Sequence, residues 1–86
     1  EMNIRLVYFA RVRETIGKDG ETREFDSSVT CVAEALTALR AEGETYRIAF
    51  QEPEKLRFAL DHQFVDVSAK LHEGAELGIF PPVTGG

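Results

Sequence analysis

The chain has 86 residues, 43% of them hydrophobic and 29% charged, with a net charge of −5 and a pI of about 4.9. That balance fits one small globular domain and leaves no room for a second. An acidic surface disfavours nucleic acid and anionic membranes and suits a partner with a basic face.

A core of this size also leaves little space for an independent active-site pocket, which favours a binding or carrier role. Cys31 is the only cysteine, so no internal disulfide can form, in keeping with a reducing cytoplasm. No apolar run approaches a membrane span, and no signal peptide is visible. Met2 reads as the natural start, with Glu1 left ahead of it.

Ile4-Arg5-Leu6-Val7-Tyr8-Phe9 reads as a first strand, with Ile4, Leu6 and Tyr8 on one face and Val7 and Phe9 on the other. Two largely apolar faces predict a central strand. Val12 and Ile16, four apart within Ala10–Ile16, predict one or two helical turns closed by Gly17. Lys18-Asp19-Gly20 is a turn, and Glu21–Phe25 a short polar strand suited to an edge.

The main helix is expected from Cys31 to Glu42. Val32, Leu36 and Leu39 fall at i, i+4 and i+7, and Gly43 follows as a C′ stop. Thr30 is the better capping residue by chemistry, yet Glu34 sits three residues after Cys31, which is capping-box spacing with Cys31 at the cap.

Tyr46, Ala49 and Phe50 predict a further helical turn, and Gln51–Lys55 an exposed loop. Leu56–Leu60 is a third strand with Leu56, Phe58 and Leu60 on one face. It turns through Asp61-His62-Gln63 into Phe64–Val67. Leu71–Ala75 is a second turn with Gly74 where positive φ is expected, and Glu76–Phe80 is the last strand. Strands around one substantial helix imply an α+β roll with the sheet packed on that helix.

The last strand stops at Pro81-Pro82. Proline gives no N–H to a ladder and holds its predecessor extended, so Phe80 ends the sheet. The domain is therefore expected over residues 1–80, with a tail over 81–86. Pro81 and Pro82 form a stiff lever, and Val83, Thr84, Gly85 and Gly86 a slim tip.

Six extended residues reach roughly 20 Å. From average usage, such a Pro-Pro and Gly-Gly pairing arises by chance on the order of once in 100,000, which makes a merely frayed end the poorer reading. The only reactive group on the tip is the carboxylate of Gly86.

Phe80-Pro81-Pro82-Val83-Thr84-Gly85-Gly86 resembles the C-terminal signature of the small subunit of molybdopterin synthase, the MoaD family of ubiquitin-like sulfur carriers. Phe9-Ala10-Arg11-Val12-Arg13-Glu14 is similar to that family's first-strand exit, with Arg13 at its typical arginine. The resemblance covers the whole chain and implies the β-grasp fold, with first and last strands adjacent and parallel.

It also implies that Gly86 is adenylated, converted to a thiocarboxylate and used as the sulfur donor that turns a cyclic pterin precursor into molybdopterin. The implied partners are the synthase large subunit and an ATP-using activating enzyme. The chain itself binds no cofactor, and ATP is used by that enzyme. Phe80, Phe64 and Arg13 match positions that contact the partners. Phe64 also fits a core position and Arg13 a solvated helix position, whereas Phe80, beside the tail, is read as interface.

Other chemistry is poorly supported by the sequence. His62 and His72 lie in separate turns without metal-ligand spacing, so no metal site is expected. Ser27 and Ser28 lack a nucleophile-elbow context, and Gly17–Gly20 lacks phosphate-loop spacing around Lys18. Cys31 reads as a buried or capping thiol rather than a reactive one. Three alternatives stay open: a ubiquitin-like protein modifier, a sulfur carrier for thiamine biosynthesis, and a β-grasp interaction module with an inert tail.

Overall fold

The computed structural model describes residues 1–82. β1 (Met2–Tyr8) turns Ile4, Leu6 and Tyr8 into the core, and α1 (Ala10–Ile16) follows at once. Gly17 closes α1 with φ 90°, its N–H bonding the Arg13 carbonyl at 2.8 Å, a conformation that favours glycine. β2 (Gly20–Phe25) returns antiparallel to β1 as an edge strand.

α2 (Val32–Arg40) is the main helix, and α3 (Glu44–Ala49) is a short one. A 3-10 turn at Pro53–Lys55 leads to β3 (Arg57–Leu60), β4 (Gln63–Val65) and β5 (Glu76–Phe80).

The sheet order is β2-β1-β5-β3-β4, with β1 and β5 parallel at its centre and the other pairings antiparallel. This is the β-grasp roll. Val32, Ala35, Leu36 and Leu39 of α2 join Ile4, Leu6, Phe58, Leu77 and Ile79 of the sheet in a single core. That burial, rather than helix propensity, holds a helix of 9 residues in place. No described helix is long and apolar enough to cross a membrane.

Several expectations need correcting. The sheet is covered on one face only: Asn3, Arg5 and Phe9 lie outward and exposed, so β1 is central without being buried on both sides. α2 is shorter than Cys31–Glu42. Gly43 does not close it in a left-handed cap but stands extended, at φ 170°, as the residue before α3. Cys31 does occupy the N-cap position, but its side chain makes no capping bond. Glu34 instead reaches one residue further back and accepts from the Thr30 N–H at 2.6 Å and hydroxyl at 2.8 Å.

The β3–β4 hairpin closes on two residues, Asp61 (φ 49°) and His62 (φ 73°), both left-handed as a type I′ turn requires. Gln63 is thus the first residue of β4 rather than part of the turn, and β4 stops at Val65.

A polar network docks α3 onto the edge of the sheet. The Tyr8 and Tyr46 hydroxyls both donate to Glu21 Oε2, at 2.6 and 2.7 Å, and Lys18 Nζ donates to Oε1 at 3.2 Å. Arg23 donates to the Tyr46 hydroxyl and to Glu42. Burial pushes the Glu21 carboxyl up, but hydrogen bonds from Tyr46, Tyr8 and Lys18 outweigh it, and the group titrates below its ordinary value. Burial and the Glu21 carboxylate push Tyr46 up to about 12.

The two shifts have opposite consequences. Glu21 contributes stability that is present at neutral pH and lost as pH falls below 4.5, its ordinary value. Tyr46 holds its proton in the folded state after the unfolded chain has lost it, so its contribution is intact below pH 10.0 and is lost as pH rises toward about 12. Tyr46→Phe should cost about 1 kcal/mol at neutral pH. It should also flatten the alkaline fall of the urea midpoint between pH 10.0 and about 12. An unchanged alkaline slope would assign that fall to another group.

Candidate functional site

The parallel register of β1 and β5 brings together residues more than seventy positions apart. Val7 pairs with Gly78 and Tyr8 with Ile79, and the Phe9 N–H then bonds the Ile79 carbonyl at 3.1 Å. Phe9 and Phe80 are therefore lateral neighbours on the open face of the sheet. Their rings stack at 4.2 Å between centroids with 2° between planes. Phe64, projecting from β4, leans against Phe80 at 5.8 Å and 51°. Phe80 itself pairs with Arg57 on β3.

The three rings form an aromatic platform on the uncovered side of the sheet, where the sequence turns into Pro81-Pro82. Phe64 is 72% exposed and Phe9 37% exposed, while Phe80 is half-buried between them. The rings, Arg57, Pro81 and Pro82 line a shallow groove of about 510 Å³. On a small acidic domain, contiguous apolar surface of this kind is a candidate docking face and not an ordinary scatter of exposed side chains.

Ala10, at φ 51°, carries the chain round the corner from Phe9 into α1 in a left-handed conformation that costs an L-residue energy. The Val12 and Arg13 N–H groups both bond the Phe9 carbonyl, which fixes that corner against the platform.

The positions singled out in the sequence separate in space. Phe80 and Phe64 meet on the platform. The core reading of Phe64 is wrong, because the short edge strand β4 turns its ring outward, opposite Ala59. Arg13 lies apart, on the exposed side of α1, with its Nε 3.9 Å from Asp19 Oδ1. Pro81 is half-buried beside the platform and Pro82 exposed. Val83, Thr84, Gly85 and Gly86 lie outside the described residues.

Sequence reasoning missed Phe9 as a site residue: it read it as the end of the first strand and the start of the family-like segment Phe9–Glu14, and gave it no role of its own. The available signal was a pair of aromatics at the ends of two strands expected to run side by side.

Among the described residues, no group of three or more His, Cys, Asp or Glu could hold a metal ion. His72 does find a carboxylate that its sequence neighbourhood does not reveal: its Nε2 is 2.7 Å from Asp61 Oδ2. The Asp61 carboxylate, with help from the Glu73 carbonyl, raises the imidazole above its ordinary value. Asp61 also accepts from the Glu76 N–H, so this pair ties the β3–β4 hairpin to the start of β5, away from the platform. Cys31 is half-buried at the mouth of α2, bridged through its backbone to Lys70.

The ThiS family matches residues 6–86. The chain belongs to the ThiS family. The molybdopterin synthase sulfur carrier subunit of Escherichia coli (strain K12) is 31% identical over 83 residues, covering 96% of this chain and 99% of that protein. The sulfur carrier subunit of Haemophilus influenzae is 33% identical over 84 residues, with the same coverage. This ThiS-family chain is a sulfur carrier of that kind.

Two solved structures agree on the fold. Small archaeal modifier protein 1 of Haloferax volcanii has a TM-score of 0.75 at 20% identity, covering 96% of this chain and 100% of that one. A complex of subunits 1 and 2 of the molybdopterin-converting factor from Helicobacter pylori 26695 contains a chain with a TM-score of 0.65 at 19% identity, covering 99% and 100%. At those identities the likeness bears on architecture alone.

Proposed function

We propose that this chain is the sulfur-carrying small subunit of a molybdopterin synthase. In this reading its aromatic platform docks on the large subunit while the tail delivers sulfur from Gly86. The observation that carries it is the placement of an exposed aromatic cluster at the root of a segment ending Pro-Pro-Val-Thr-Gly-Gly. The full-length similarity to named sulfur carriers supports it. The Helicobacter pylori complex, in which a protein of this fold sits with a second subunit, supports a large-subunit partner.

The chemistry follows from the poor reactivity of a carboxylate, whose oxygen is a hopeless leaving group. In an activating enzyme, a Gly86 carboxylate oxygen attacks the α-phosphorus of ATP and expels pyrophosphate. A sulfur nucleophile at the hydrosulfide level then attacks the acyl carbon. The C–S bond forms, the bond to AMP breaks, and AMP leaves with the electron pair. The resulting thiocarboxylate is ionised at neutral pH and is itself a nucleophile toward the pterin precursor.

The chain supplies a reacting terminus on a stiff lever, and the partners supply the pockets. ATP is consumed by the activating enzyme, and this chain holds no nucleotide. Phe80, Phe64 and Phe9 serve the interface, and Arg13, apart from them, is available to the activating enzyme. The setting is a reducing cytoplasm, where Cys31 stays a thiol.

The direct test is the mass of the C-terminal fragment. Protein purified from cells that make it should include a fraction with sulfur in place of one Gly86 oxygen, seen by top-down mass spectrometry. A sample supplied with activating enzyme, ATP and a sulfur source that never shows this species would sink the proposal.

A further inference from the structure

β5 alternates its side chains between the core and the open face. Leu77 and Ile79 point into the core, both at 0% exposure, so Glu76, Gly78 and Phe80 point outward. Gly78 sits in the row below the stacked rings, flanked by Val7 on β1 and Ala59 on β3. It is nevertheless buried, because both rings lean back over it.

A Cβ on Gly78 would stand 3.2 Å from Phe80 Cε1 and 3.3 Å from Phe9 Cε2, closer than carbon atoms normally pack. The two rings converge on the space that a side chain would fill. Glycine in a central strand sacrifices packing and β-propensity, and its common use there is to let another group approach the backbone closely. Here those groups are the ring edges of Phe9 and Phe80.

We propose that Gly78 is a positioning residue for the docking platform. By carrying no side chain, it lets Phe9 and Phe80 lie back across β5 as a parallel pair. The large subunit reads that arrangement rather than merely two nearby phenylalanines. The proposal rests on the interface reading given above. A side chain at position 78 would push both rings outward, and since they touch each other and Phe64, the displacement would spread over all three aromatics. The effect should grow with size: alanine asks the rings to move by tenths of an ångström, and a branched residue asks for more.

Gly78→Val and Gly78→Ala test this in the isolated chain and with the large subunit of molybdopterin synthase. Valine is favoured in strands, which offsets the cost of displacing the rings, so the denaturation midpoint of Gly78→Val should stay close to that of the parent. The NMR shifts of the Phe9 and Phe80 ring protons should move, and affinity for the large subunit should fall about tenfold. Gly78→Ala should show the same changes in smaller measure, and it carries the test if the valine variant does not fold.

In a Phe9→Ala background, where one ring no longer overhangs the site, Gly78→Val should cost clearly less affinity than it does alone. Unmoved ring shifts, or an equal loss in both backgrounds, would overturn the role of Gly78 while leaving the platform as an interface. Moved rings with unchanged affinity would overturn the interface reading, and this proposal with it.

Discussion

Removing Gly86 is expected to abolish sulfur transfer and to leave the denaturation midpoint unchanged. Among the described residues the buried core ends at Ile79 and Pro82 is already exposed, and Gly86 follows four residues later in the sequence. A change remote from packing and caps typically shifts stability by less than about 0.5 kcal/mol. The chemical effect is all or none, because deletion moves the carboxylate one residue back along a tail whose length sets where the sulfur arrives. Gly85→Phe should give the same loss while keeping the terminus in register, since a slot that admits backbone will not admit a ring. The measurement is sulfur transfer to the pterin precursor in the presence of the large subunit, alongside a urea titration of the isolated chain. Full activity from Gly85→Phe would disprove the narrow slot. A lowered midpoint in the deletion variant would place the tail in the fold.

Much of the fold was legible because local signals agreed with one another. Glu76–Phe80 was bounded correctly, since Pro81 cannot continue a ladder and Gly74 supplies the turn before it. α1 was legible from Val12, Ile16 and Gly17 alone. The parallel β1–β5 pairing came from the family resemblance rather than from any local pattern, because parallel register is settled between segments some seventy residues apart.

The errors also have physical causes. Gly43 looked like a helix stop, but α2 had already ended at Arg40, and the glycine stands extended between two helices. Phe64 fitted both core and surface because alternation on a strand of 3 residues does not say which face is covered. The Tyr8–Glu21–Tyr46 network was invisible, since its members lie 13 and 25 residues apart and meet only after α3 docks. At the site, the tail signature pointed to Phe80, while Phe9 and Gly78 take on meaning only once β1 and β5 are side by side.

Phe80→Ala should separate binding from folding. Were Phe80 a core residue, truncating it would cost about 3–5 kcal/mol, most of what a domain of this size possesses. Its position argues for less. It is half-buried on the open face, and its principal contacts are two other surface aromatics. The folding cost is then the aromatic pairing, about 0.5–1.5 kcal/mol, plus partial burial of one ring. Binding should suffer more in proportion. Phe80 is the central ring of the three and the last residue before Pro81-Pro82, so its loss removes the middle of the proposed docking surface and the support of both neighbours. An affinity loss of about tenfold or more for the large subunit, with a modest shift in the urea midpoint, is the expected pair of results. Phe64→Ala provides the control: at 72% exposure it should leave the midpoint unchanged while still weakening binding. A collapsed midpoint for Phe80→Ala would return that residue to the core. Unchanged affinity for both variants would move the docking surface off the aromatic platform, toward the Arg13 side of α1.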